Sequence, residues 1–115
     1  MLVEDHDSTA RVMARLLRAM DHRVMVAHNV ATAKRLVDSE KFDVIVSDLG
    51  LPDGTGFELM RHVRRTSATP AIAVSGYGME HDLRQSRDAG FNAHLVKPID
   101  LAKLQAAVHR VTSEG

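Results

Sequence analysis

The sequence predicts an α/β fold, a doubly wound sheet of five parallel strands in one domain. Three observations predict it. Short β-like runs alternate with helical patterns along the whole length, the mark of stacked βαβ units. One run, Val44-Ile45-Val46, is apolar on both faces, as a central strand covered by helices must be. The chain has 115 residues, enough to bury one core and too few for two, so residues 1–115 read as a single domain. Aromatic residues are few, which leaves Val, Leu, Ile, Ala and Met to build that core.

The first strand is read over residues 1–3. A helix over 8–20 opens with capping-type residues and sets Val12, Met13, Leu16, Leu17 and Met20 on one side, against Arg11, Arg15 and Arg18 on the other. A second strand spans 24–27. Asn29 is placed to cap the next helix, whose inner face holds Ala33, Leu36 and Val37. The third strand, 44–46, leads into a turn shaped by Pro52, Gly54 and Gly56, and Phe57, Met60 and Val63 mark the third helix. After a fourth strand at 71–74, the helix over 80–89 has Leu83 as almost its only large apolar residue. It should pack weakly, and weakly packed elements are where moving parts are found. Gly90 is a natural left-handed stop for it. A fifth strand at 95–96 precedes a helix with Leu101, Leu104, Val108 and Val111 at helical spacing and Asp100 as its cap.

Bulk properties exclude several function classes. With 15 basic and 15 acidic residues the chain has no net charge, unlike a direct nucleic-acid binder. It has no cysteine, which excludes a disulfide framework, a thiolate zinc site and cysteine nucleophiles, and suits a reducing cytoplasm. The apolar runs are far shorter than the roughly 20 residues a membrane helix needs, and no leader precedes the first strand, so the chain reads as soluble.

In open parallel sheets, ligands sit beyond the carboxyl ends of the strands, where strand order reverses. Glu4-Asp5 follow the first strand, Ser47-Asp48 the third, Ser75-Gly76 the fourth and Lys97-Pro98 the fifth. A strand order of 2-1-3-4-5 would gather them in one pocket. Three carboxylates against one ammonium repel unless a cation intervenes. Oxygen ligands from Asp5, Asp48 and one backbone carbonyl, with Glu4 acting through water, suit octahedral Mg2+. Such a cation makes Asp48 a usable nucleophile toward phosphorus, with Lys97 and the Ser75 hydroxyl left for other phosphoryl oxygens. Movement of Ser75 toward that group would be a switch.

Glu4-Asp5, Asp48 in S-D-L-G-L-P-D-G-T-G, Ser75 in V-S-G-Y-G and Lys97 in L-V-K-P together resemble the signature set of two-component response regulator receiver domains, in order and over nearly the whole chain. The resemblance implies a flavodoxin-like three-layer sandwich. It also implies transfer of a phosphoryl group to Asp48 from the phosphohistidine of a histidine kinase or histidine phosphotransfer domain, or from acetyl phosphate. A cis peptide before Pro98, altered partner binding and phosphorylation-dependent dimerisation belong to the same expectation. Three departures stand out. The first strand is short, His94 occupies the position three before the lysine where Tyr or Phe is common, and Gly50, second after Asp48, offers only its carbonyl to the metal.

An isolated aspartate at a strand end usually just caps the following loop, and a lone lysine is usually on the surface. Here the companion residues reverse both readings. His6, His22, His28, His62, His81, His94 and His109 show no ligand-like spacing and read as surface or packing residues. So do the Arg11, Arg15, Arg18 stripe and the face carrying His62, Arg61, Arg64 and Arg65. The chain ends soon after its last helix, and with S-D-L-G-L-P-D-G-T-G and S-G-Y-G-M-E-H-D it resembles receivers of hybrid sensor histidine kinases more than those of transcription factors, an origin favoured over a free-standing single-domain regulator. An aspartyl-phosphate hydrolase would carry a second aspartate where Gly50 stands. A degenerate receiver would lack some of these positions, and here all are intact.

Overall fold

The computed structural model describes residues 1–76 and 80–113. In chain order the elements are β1 (Leu2–Val3), α1 (Asp7–Ala19), β2 (Val26–Ala27), α2 (Val30–Ser39), β3 (Ile45–Asp48), β4 (Gly50–Leu51), β5 (Gly54–Thr55), α3 (Gly56–Arg64), β6 (Ala71–Ser75), α4 (Glu80–Ala89), β7 (Ala93–Val96) and α5 (Leu101–Ser113). The main sheet is parallel with order β2-β1-β3-β6-β7. Counting only its own strands, that is the expected 2-1-3-4-5. The addition is β4 and β5, a small antiparallel hairpin inside what reads from sequence as a plain turn.

Because strand side chains alternate, the apolar strands feed two cores. Val44, Val46, Ile72 and Val74 pack with Met13 and Leu17 of α1 and Leu104 and Val108 of α5. Val3, Ile45, Ala71 and Ala73 pack on the other face with Leu59, Met60 and Val63 of α3 and with Phe91. Helix α1 keeps the expected face at Met13, Leu16, Leu17 and Met20 and departs from it at Val12. Val12 is 50% exposed, and the buried residues are Ala10, Met13, Ala14 and Leu17. Small alanines let the helix approach closely and turn Val12 outward. The helix also begins at Asp7, with His6 at the capping position and no side-chain cap. Other caps are as expected. Asn29 Oδ1 accepts from Thr32 N–H at 2.8 Å, and Asp100 Oδ1 from Ala102 N–H at 2.9 Å, each a device worth about 1 kcal/mol.

Helix α4 adds little to either core. Leu83 is 39% exposed, and among its described side chains only that of Ser86 is fully enclosed. Its far end is nonetheless fastened. Gly90 follows it at φ 113°, a left-handed conformation that favours glycine, and a Cβ there would lie 2.8 Å from Arg64 Cγ. The Arg64 guanidinium donates to Gly90 O from Nε at 3.1 Å and from Nη2 at 2.7 Å, and to Asn92 Oδ1 at 3.2 Å. Arg64 is therefore a half-buried clamp between α3 and the end of α4, and not part of a solvated face. His62 pairs across helices too, with Asp38 Oδ1 of α2 at 2.8 Å. Among the described residues no helix is long and apolar enough to cross a membrane.

Candidate functional site

The strand ends converge because the parallel register leaves no alternative. Val3 pairs with Ser47, so Glu4 emerges beside Asp48, the last residue of β3. Asp48 pairs with Val74 and Ser75 with Val96, so Ser75 and Lys97 emerge on the other side of it. The Lys97–Pro98 peptide is cis, as the family resemblance implies.

Within this cleft Lys97 Nζ donates to Asp48 Oδ2 at 2.8 Å and stands 3.1 Å from Glu4 Oε1. Glu4 is enclosed at 1% exposure, and its Oε2 accepts from Asp5 N–H at 3.0 Å. Asp48 Oδ1 accepts from Gly50 N–H at 3.3 Å, while Asp5 faces solvent. Burial pushes the Glu4 carboxyl above its ordinary range, and hydrogen bonding with Asp48 adds to this against the opposing pull of Lys97. For Lys97, burial favours the neutral amine, but the hydrogen bond to Asp48 and the negative charge of Asp48 and Glu4 together outweigh it and hold the ammonium above its ordinary value.

A dication suits this donor set. Three carboxylates share one ammonium, and Glu4 Oε1, though beside Lys97, accepts no well-aligned hydrogen bond despite being fully enclosed. One donor atom each from Glu4, Asp5, His6 and Asp48 lies within 4.8 Å of all the others. His6 enters this cluster although histidine spacing assigns it nothing. The available signal was its adjacency to Asp5. His28 stands outside the cluster but touches its edge: its Nδ1 lies 3.0 Å from Glu4 O, since β2 runs beside β1.

On the β6 side, Ser75 Oγ and His94 Nε2 are 2.8 Å apart. The residue standing where an aromatic is common therefore reaches the hydroxyl through a hydrogen bond. On the β3 side the loop is pinned. Val30 and Ala31 N–H at the start of α2 donate to the two Asp53 oxygens at 2.7 and 3.0 Å, which holds that carboxyl below its ordinary range. A Cβ on Gly56 would lie 2.6 Å from Asp48 O, so this glycine does more than shape a turn: it lets α3 start against the backbone of Asp48. A cavity of about 440 Å³, lined in part by Val37, Phe42, Val63 and Thr69, opens beside Ile45, at the opposite end of β3 from Asp48. The acidic cluster, with Lys97 beside it, lies elsewhere.

A family model described as the response regulator receiver domain matches residues 1–109. Over 106 residues the chain is 36% identical to the KDP operon transcriptional regulatory protein KdpE of Escherichia coli, covering 92% of this chain and 47% of that protein. The chain thus spans about half the length of that relative. The receiver domain of the Pseudomonas aeruginosa sensor histidine kinase PA1611, solved with magnesium coordinated in its active-site cleft, superposes with a TM-score of 0.88 at 29% identity, covering 97% of this chain and 94% of that one. A Burkholderia pseudomallei response regulator solved with a phosphorylated aspartic acid and a calcium ion gives a TM-score of 0.85 at 27% identity, covering 98% and 67%.

Proposed function

This chain belongs to the response regulator receiver domain family, and from that premise we propose that it accepts a phosphoryl group on Asp48, with magnesium in the cleft, and alters its partner binding in response. The observation that carries this is Asp48 itself. Its carboxylate closes β3 at 8% exposure with the Lys97 ammonium 2.8 Å away and the other acidic ligands beside it.

In the reaction one Asp48 oxygen attacks phosphorus in line, the P–N bond of a donor phosphohistidine breaks, and its electron pair stays on the imidazole. Lys97 holds an Asp48 oxygen before transfer and is placed to follow the new negative charge onto a phosphoryl oxygen. Ser75 donates its hydroxyl to another phosphoryl oxygen, which competes with its contact to His94. Asp5, Asp48 and the Gly50 carbonyl would hold the metal directly, and Glu4 would hold it through water. Bound magnesium supplies charge neutralisation at the phosphoryl oxygens. Gly50 offers no side chain for acid-base turnover, which supports a switch over a hydrolase.

The donor is a histidine kinase or histidine phosphotransfer domain. We place the domain within a hybrid sensor histidine kinase, supported by its likeness to the PA1611 receiver. The 36% identity to KdpE supports a second reading, a receiver within a transcriptional regulatory protein. The full reading frame decides between them. The absence of cysteine fits a cytoplasmic setting.

The test is intact-mass analysis of the domain with magnesium and either acetyl phosphate or a phosphohistidine donor. One phosphoryl group should be gained, and Asp48→Asn should abolish the gain. Labelling of Asp48→Asn at the wild-type rate and stoichiometry would refute the assignment.

A further inference from the structure

Magnesium prefers a shell of oxygens, yet an imidazole stands among the carboxylates of this cleft. His6 Nδ1 lies 3.4 Å from Asp5 Oδ1 and 3.8 Å from Glu4 Oε2. Two donors on one six-coordinate dication with bonds of about 2.1 Å stand roughly 3.0 Å apart when adjacent and roughly 4.2 Å apart when opposite. The His6–Asp5 separation falls in that interval, so these two can share one dication, and Glu4 Oε2 at 3.8 Å is close enough to reach the same ion through water. The His6 side chain is 68% exposed, so an ion and its waters reach it without opening the core. His28, the other nearby imidazole, has its Nδ1 turned to the Glu4 carbonyl.

Resting on the reading of the cleft as a dication site, we propose that His6 supplies a nitrogen ligand there and gives the domain a selective affinity for borderline transition-metal dications, such as Mn2+, Co2+ and Ni2+, over Mg2+. Imidazole nitrogen suits these ions and adds little for magnesium. The residue thereby sets which ion accompanies phosphorylation when several compete.

Carboxylate sites already favour the later metals to some degree, so the decisive quantity is what His6 alone contributes. Calorimetric titration of the 115-residue domain with Ni2+ and with Mg2+ measures it, using wild type, His6→Asn and Asp48→Asn. His6→Asn should weaken Ni2+ binding by about tenfold or more, the scale on which ligand-shell changes act, while Mg2+ binding stays within about twofold. In the Mn2+-loaded protein, electron spin echo modulation should show an imidazole nitrogen in wild type and none in His6→Asn. Equal losses for both ions, no loss for either, or a nitrogen signal that survives His6→Asn would overturn the inference. If Mg2+ binding depends on Asp48 while Ni2+ gains nothing from His6, the inference alone fails. If neither ion shows Asp48-dependent binding, the dication reading fails with it.

Discussion

The two sides of the cleft are built to different standards. On the β1 and β3 side, Glu4 and Asp48 are enclosed, Lys97 lies between them, Asp53 ties the following loop to α2, and Gly56 seats α3 against the Asp48 backbone. On the β6 and β7 side, Ser75 meets His94 and the chain runs on to α4, whose Leu83 is exposed. The difference teaches where the charge is held and where its arrival can be read. Holding like charges together needs many simultaneous constraints. Reporting a change needs an element with few contacts to give up.

The largest expected effect tests whether that contrast is real. Leu59 of α3 is fully buried, so Leu59→Ala should cost about 2–5 kcal/mol in urea unfolding, whereas Leu83→Ala on α4 should stay within about 0.5 kcal/mol. Equal losses would mean that α4 is as firmly packed as α3. Next comes a pH effect confined to the firm side. The Met1 amine donates to Val44 O at 2.8 Å, and burial lowers its pKa from 8.0 to about 6, against a smaller opposing effect of Asp43. Between those values the unfolded chain binds the extra proton, so stability should rise from pH 6 to 8, by about 2–3 kcal/mol. Acetylating the amine should flatten that rise, as measured by denaturant midpoints across the range. The smallest effect sharpens the comparison. A phosphoryl mimic should change amide exchange at Ser75, Gly76 and along α4 while leaving α3 unaltered. Unchanged exchange in α4 would remove its role as the reporting element. The expected moving segment also includes residues 77–79, which lie outside the described residues.

The strand-end chemistry was legible in the sequence because each apolar run stops at the residue that matters. Glu4 and Lys97 follow directly on a strand and Asp48 and Ser75 close one, and parallel pairing then brings them together. The hairpin of β4 and β5 was not legible, because two-residue strands carry no periodicity and Pro52, Asp53 and Gly54 read simply as a turn. In helix α1 only Val12 escapes the sequence reading, since Ala10 and Ala14 carry little hydropathy but take its place on the buried face. Arg64 reads as solvated among neighbouring arginines, and only the fold shows the Gly90 carbonyl within its reach. The family resemblance already couples position 94 to Ser75 as a switch pair, but that His94 does so through a hydrogen bond shows only in the register of β6 against β7. Histidine spacing compared with other histidines and cysteines does not register that His6 directly follows the acid pair, and the contact of His28 with the Glu4 carbonyl needs the pairing of β1 with β2.

Lys97 has a consequence for the order of assembly. Standing 2.8 Å from Asp48 and 3.1 Å from Glu4, it is a built-in counter-ion that occupies the cluster before any dication arrives. It offsets part of the carboxylate repulsion, and the chain should still melt cooperatively in chelator. A newly made copy is ready to be loaded and does not need to be rescued.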